Sequence, residues 1–210
     1  MDIGAWIGAT ALPAAARGAR VLAFEPDPVA RDELDRNIAL SDLGDRITVH
    51  PYALTNRDGR RQITARDALG DSMSSLSRRR QADRSTIVET VDVQKVLPQF
   101  EGARIVKIDI EGGEYGLLPS MRTWLAEHRP DLILSLHTYQ LQPVLGPLPR
   151  GVRFVARRAS AIALRGRLAW LPHIYPHRKT ATARGWEPVS GWKLASLMAT
   201  PGEFELYLSA

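Results

Sequence analysis

Short apolar runs separated by amphipathic stretches set the rhythm of this chain. Val21-Leu-Ala-Phe24, Ile47-Thr-Val-His50, Thr86 to Val91, Ile105-Val-Lys-Ile-Asp-Ile110 and Leu132-Ile-Leu-Ser-Leu136 read as buried strands, each bounded by turn or capping residues. Helical patterns lie between them. Residues 9 to 17 form a small-residue helix ending before Gly18, which suits a C-cap. Asp27-Pro28 supplies an N-cap and an N1 proline for a helix to about Leu40, with Ala30, Leu34 and Ile38 on one face. A short helix over Asp92 to Leu97 and a longer one over 113 to 126 follow. Alternation of apolar strands with helices predicts a doubly wound, mostly parallel α/β sheet. Phe204 to Leu208 alternates as a final strand should, and Asp58-Gly59 predicts a hairpin turn with Gln62 to Ala65 as the return strand. Residues 66 to 85 lack periodicity and carry Ser72, Ser74, Ser75, Ser77 and Arg78-Arg-Arg80. They read as a polar loop, either a lid over a ligand or a solvated connection.

The first strand and its turn carry the clearest chemistry. Asp2-Ile-Gly4-Ala-Trp-Ile-Gly8 leads into the small-residue helix, and the next strand ends on Glu25, 21 positions after Gly4. This is the layout of a nucleoside-binding βαβ unit: glycines admit a ligand close to the backbone, and an acid at a strand end accepts both hydroxyls of a ribose. A dinucleotide site would carry Gly-x-Gly-x-x-Gly at this turn. Asp-x-Gly-x-x-x-Gly instead suits S-adenosylmethionine, which has an amino acid end to hold and no pyrophosphate.

Further motifs occur in order: Ala23-Phe-Glu-Pro-Asp-Pro28, Leu34-Asp-Arg-Asn37, Pro51-Tyr-Ala-Leu54, Asp58-Gly59, Ser72-Met-Ser-Ser-Leu76 and Lys107-Ile-Asp-Ile-Glu-Gly-Gly-Glu114. Together with the glycine turn, they make residues 1 to about 140 resemble the FkbM family of S-adenosylmethionine-dependent methyltransferases. The resemblance implies a class I, Rossmann-like methyltransferase fold. It also implies that Asp2 and Gly4 face the methionine end, Gly8 makes the close turn, Glu25 holds the ribose, and Tyr52 and Ala53 border the adenine. Trp6 stands where the family commonly has Asn, so its ring is expected to pack rather than hydrogen-bond. Asn37 matches a family position but serves equally well as a helix-surface residue.

The acidic tract ends a strand and opens a helix, which gathers Asp109, Glu111 and Glu114 where such sheets bind ligands. Methyl transfer to a hydroxyl needs alignment and removal of one proton, so Asp109, Glu111 and His137, which follows the next strand, are the candidate catalytic residues. Glu111 and Glu114 would also compensate a helix dipole, and His137 could be only a satisfied strand-end residue. Two positions before His137, where the resemblance implies an acid, stands Ser135. Oxygen and imidazole donors could hold a divalent ion between Asp109, Glu111 and His137, but spacing alone does not assign a metal.

Composition and charge refine this picture. The 210 residues, 44% of them hydrophobic, suffice for one domain with its own core, read as a cofactor-binding core over 1–140 and a region shaping the acceptor site over 141–210. There is no cysteine, hence no disulfide framework or thiolate nucleophile. No apolar run is long enough to span a bilayer and no signal peptide is legible, so a cytoplasmic protein is expected. The net charge of +5 is concentrated at the end: residues 150–210 hold 10 basic and 3 acidic side chains. Arg157-Arg158, Arg165-Gly-Arg167, Leu168-Ala-Trp-Leu171 and His173-Ile-Tyr-Pro-His-Arg-Lys179 interleave basic and aromatic groups. Such a surface suits a small-molecule or glycan substrate that is anionic or lipid-linked, and no stable nucleic-acid partner is expected. Arg outnumbers Lys 24 to 4, which biased genome composition explains equally well.

Only Met1 precedes Asp2, so most of the strand that the glycine turn should end is missing, and a truncated or start-shifted form is the expectation. The leading reading is O-methylation of a hydroxyl on a sugar or secondary metabolite. An RNA-modifying methyltransferase and a cofactor-binding remnant without turnover are the alternatives.

Overall fold

Strand β1 is two residues long, Asp2–Ile3, yet it lies at the centre of an eight-stranded sheet. The computed structural model describes residues 1–64, 70, 85–137, 163, 166–197 and 203–210. From β1 the chain passes through helix α1 (Ala11–Ala16) to strand β2 (Val21–Phe24), and through α2 (Pro28–Leu40) to β3 (Ile47–His50). It then forms a small separate sheet from β4 (Ala53–Thr55), β5 (Gly59–Thr64) and β6 (Ser85–Asp92), in the order β4-β6-β5. After helix α3 (Val93–Val96) it returns to the main sheet with β7 (Ile105–Ile108), helix α4 (Glu114–His128) and β8 (Asp131–His137). Helix α5 (Leu171–Ile174), strands β9 (His177–Thr182) and β10 (Gly185–Pro188), helix α6 (Gly191–Leu197) and β11 (Glu203–Ser209) complete the described elements. The main sheet runs β10-β9-β11-β8-β7-β1-β2-β3. Strands β8, β7, β1, β2 and β3 are parallel, and β11 enters antiparallel between β8 and β9.

The strand order reverses between β1 and β7, so their carboxyl ends part and leave a crevice there. Helices cover both faces. On one, Ala11, Ala15, Leu34 and Ile38 of α1 and α2 meet Val21 and Ala23 of β2. On the other, Leu117, Leu118, Met121 and Leu125 of α4 meet Ile108, Leu134 and Phe24. Each of the leucine, isoleucine, valine, methionine and phenylalanine side chains contributes about 1.5–3 kcal/mol by leaving water. Helix α2 starts as its sequence dictates: the Asp27 carboxylate accepts from the Val29 N–H at 2.9 Å, and Pro28 occupies the first turn.

Several expectations change. Asp58-Gly59 does turn the chain, but β4 and β5 do not pair with each other; β6 inserts between them, parallel to β4 and antiparallel to β5. The return strand, read as Gln62 to Ala65, already begins at Gly59. The two-residue β1 pairs with both β2 and β7, and Met1 extends its contact with β7: its carbonyl accepts from Lys107 N–H at 2.9 Å and its ammonium donates to Ile105 O at 3.0 Å. Beneath it, the amino-terminal ends of β2 and β7 flank a cavity of about 1070 Å³ lined by Val21, Arg104 and Ile105 among others. The polar loop over 66–85 lies outside the described residues except for Gly70 and Ser85, as do Arg157, Arg158 and Arg165.

The basic-aromatic C-terminal surface is not formed as expected among the described residues. Leu168, Trp170, Leu171, Ile174 and Tyr175 are buried in the main core. The Arg178 guanidinium is taken up by the carbonyls of Pro172, Tyr175 and Val189. Apolar side chains interleaved with arginines here build an inward-facing layer, not a stacking platform. No described helix is long and apolar enough to cross a membrane.

Candidate functional site

The carboxyl ends of β1, β2 and β7, together with β4, enclose a cavity of about 330 Å³. Gly4, Trp6, Glu25, Tyr52, Ala53, Lys107, Asp109, Glu111, Ser135 and Glu205 are among its lining residues.

Gly4 makes the closest approach in this wall. It sits at φ +80°, and a Cβ there would lie 1.9 Å from the Asp109 carbonyl oxygen, so only glycine lets the β1 corner press against the end of β7. Gly8 has a different task. At φ +97° it lies against the side chains of Leu12 and Leu34, where a Cβ would come within 2.9 Å of each, and it does not line the cavity. Asn37 of α2 donates to Ile7 O at 3.0 Å and ties the corner to that helix. Trp6, at φ +49°, hydrogen-bonds twice, contrary to the packing role expected of it: its backbone N–H donates to Glu25 Oε2 at 2.8 Å and its indole N–H to Gly70 O at 2.8 Å.

Glu25 is 7% exposed at the end of β2, with Oε2 held by Trp6 N–H and Oε1 by Asp27 N–H at 2.9 Å. Two oriented oxygens, each with a lone pair remaining, face the cavity. Burial pushes its pKa up to about 7, against the two backbone N–H groups that favour the charged form. Tyr52 stands beside the rings of Phe24 and His50, and its hydroxyl lies 3.3 Å from His50 Nδ1.

Asp2 lies below the cavity and not in its wall, buried in an ion pair with Lys107 at 3.2 Å. Burial raises its pKa, and Lys107 opposes the shift. Lys107 Nζ also donates to Gly4 O at 2.6 Å and approaches Asp109 Oδ2 at 3.8 Å. One ammonium therefore braces the glycine corner from inside, a role that no reading of spacing assigned to it.

At the end of β7, Asp109 and Glu111 reach the cavity, and His137 lies behind them at 1% exposure. Glu111 adopts φ +52° within the turn Ile110-Glu-Gly-Gly113, a costly backbone state for a residue with a Cβ. Glu114 Oε1 accepts from the N–H groups of Ile110 and Gly112, which fixes that turn, and lies 3.0 Å from His137 Nδ1. His137 Nε2 lies 3.6 Å from Asp109, 3.5 Å from Glu111 and 3.6 Å from Glu203. Burial alone would lower the pKa of His137; the hydrogen bond and charge of Glu114, with Glu111 and Asp109, raise it to about 9.

Strand β11 contributes two acids that the pattern of the final strand did not single out. In its register with β8, Glu203 stands opposite His137 and Glu205 opposite Ser135. Glu205 lines the cavity beside Ser135, so the carboxylate expected two positions before His137 is supplied from the neighbouring strand. Only strand pairing reveals this, since 66 or more positions of sequence separate the partners.

A profile of the Methyltransferase FkbM domain matches residues 2–153. No protein of curated function matches. Among solved structures, a methyltransferase FkbM from Methylobacillus flagellatus KT aligns with a TM-score of 0.51 and 19% identity, over 99% of this chain and 42% of that one. The chain thus spans less than half of that protein's length. An O-methyltransferase from Bacillus cereus, solved in complex with SAH, aligns with a TM-score of 0.44 and 14% identity, over 100% of this chain and 72% of that one.

Proposed function

Because the chain belongs to the FkbM methyltransferase domain family, we propose that it transfers the methyl group of S-adenosylmethionine to a hydroxyl of a sugar or secondary metabolite. The observation that carries this reading is the opening of the 38%-exposed Asp109 side chain into the same cavity as Gly4 and Glu25. A carboxylate placed to accept from ribose hydroxyls and a second carboxylate placed to take a proton line one space.

The residues present fit the cofactor. Glu25 offers two fixed oxygens to ribose hydroxyls, and Tyr52 with Ala53 forms an apolar border for the adenine. Gly4 removes the side chain that would block the approach, and Asp2 acts through Lys107 to hold that corner. S-adenosylmethionine supplies, when bound, an electrophilic methyl on a sulfonium. Transfer would break the S–CH3 bond, leaving S-adenosylhomocysteine, as the acceptor's O–CH3 bond forms and its O–H bond breaks, and Asp109 would take the released proton. Glu111 and His137 position Asp109, because His137 does not line the cavity and its Nε2 faces both carboxylates. Glu205 and Ser135 stand where an acceptor hydroxyl could be oriented. Trp170 and Tyr175, buried in the core, are not free to stack on the bases of the alternative RNA substrate.

The test uses release of S-adenosylhomocysteine across a panel of sugars, hydroxylated polyketides and RNA. Asp109→Asn should lower kcat by about 100-fold or more, within the range for a general base, while binding S-adenosylhomocysteine as the parent protein does. Turnover on RNA alone, or an Asp109→Asn enzyme with full activity, would overturn the proposal.

A further inference from the structure

The Glu25 carboxylate belongs to a closed ring of hydrogen bonds. Trp6 N–H donates to Oε2 at 2.8 Å and Asp27 N–H to Oε1 at 2.9 Å. The indole N–H of the same Trp6 donates to Gly70 O at 2.8 Å, and Gly70 N–H donates to Asp27 Oδ2 at 2.8 Å. The ring thus runs from Glu25 through Trp6, Gly70 and Asp27 back to Glu25. Gly70 stands 64 positions from Trp6 and 43 from Asp27, so no local turn accounts for its closure.

Each member is fixed on its own account. Gly70 sits at φ +90°, and a Cβ there would lie 2.7 Å from Val29 Cγ1 and 3.2 Å from Val29 Cβ, so glycine alone lets this backbone press against the start of α2. Its N–H and its carbonyl are both taken by side chains of the two residues that grip Glu25. Trp6 holds φ +49°, a costly state for a residue with a Cβ, and such states persist where surrounding contacts over-determine them. The indole bond to Gly70 is one such contact. Relaxation of Trp6 toward an ordinary backbone would swing its N–H away from Glu25. Asp27 caps α2 with Oδ1 on Val29 N–H while Oδ2 holds Gly70. Trp6 and Glu25 line the cavity, whereas Asp27 and Gly70 do not.

We propose that Gly70 and the Trp6 indole are positioning residues for the cofactor: through this ring they hold the Glu25 carboxylate in the orientation in which both of its oxygens meet the ribose hydroxyls. The proposal rests on the S-adenosylmethionine reading above. A carboxylate at a strand end turns about its side-chain bonds, and fixing it before the nucleoside arrives removes that ordering from the cost of binding.

The full chain, its Trp6→Phe variant and its Gly70→Ala variant are titrated calorimetrically with S-adenosylhomocysteine and with its 2′,3′-dideoxy analogue, which lacks both hydroxyls that Glu25 would receive. Trp6→Phe keeps an aromatic ring in the wall and removes the indole donor; Gly70→Ala opens the ring from the opposite side, so either folded variant decides. Each should bind S-adenosylhomocysteine about 5- to 10-fold more weakly, the equivalent of one hydrogen bond, while affinity for the analogue changes by less than about twofold. The preference for ribose hydroxyls therefore shrinks. A merely structural role would lower Tm or weaken both ligands alike, and a preference that stays unchanged in a folded variant overturns the proposal. If the parent chain binds no S-adenosylhomocysteine, the cofactor reading falls together with this one; if it binds and the preference is unchanged, only the positioning role falls.

Discussion

Replacing Glu25 with Ala removes the two oxygens that Trp6 and Asp27 hold toward the cavity. Each ribose hydroxyl donates to one oxygen in the proposed complex, and hydrogen bonds to a charged acceptor are worth about 1.5–3 kcal/mol. Water recovers part of that, leaving a loss of about 3 kcal/mol, or roughly 100-fold in Kd for S-adenosylhomocysteine. The carboxyl also predicts a pH profile. Its pKa is raised to about 7, so its ionised fraction climbs from about one tenth at pH 6 to about nine tenths at pH 8, and Kd should fall roughly tenfold over that interval. The sign for stability is opposite. The folded state holds this proton more tightly than the unfolded chain, so the contribution is complete below the ordinary glutamate value of 4.5 and is lost as pH rises through about 7. Isothermal titration calorimetry from pH 6 to 8 measures the affinity. A variant that binds within twofold of the parent, or a parent whose Kd ignores pH, would refute the reasoning.

Gly4→Ala should lower stability by more than about 2 kcal/mol, because the new Cβ meets the Asp109 carbonyl and the residue is held at positive φ; an unchanged Tm would contradict the close packing of that corner. Glu205→Gln should raise KM for the acceptor while leaving S-adenosylhomocysteine affinity unaltered, and equal losses in both would remove Glu205 from the acceptor side.

Helices and parallel strands were legible because their signals are local. Asp27-Pro28 with Ala30, Leu34 and Ile38 predicts α2, and the structure buries those three residues. Ile47 to His50 is a strand with the expected bounds. The hairpin expectation failed because Asp58-Gly59 specifies a change of direction but not a partner, and β6 wins the pairing with both flanking strands. The site divides along the same line. Gly4, Glu25, Tyr52, Asp109 and Glu111 reach one cavity because each sits just beyond the carboxyl end of a strand, and Ala53 joins them as the residue that opens β4 directly after Tyr52. Asp2 and Gly8 share the motif but serve the corner from inside, where Lys107 and Leu34 meet them. Glu203 and Glu205 could not be read at all without the β8–β11 register. The arginine- and aromatic-rich tail misled for a further reason: composition does not say which side chains turn inward, and Trp170 and Tyr175 do.

A crystal structure of the chain with S-adenosylhomocysteine tests the central claim most directly. The account predicts both ribose hydroxyls within hydrogen-bond distance of Glu25, the adenine against Tyr52 and Ala53, and the sulfur on the Asp109 side of the cavity. Ligand density elsewhere, or a nucleoside whose ribose does not meet Glu25, would contradict it.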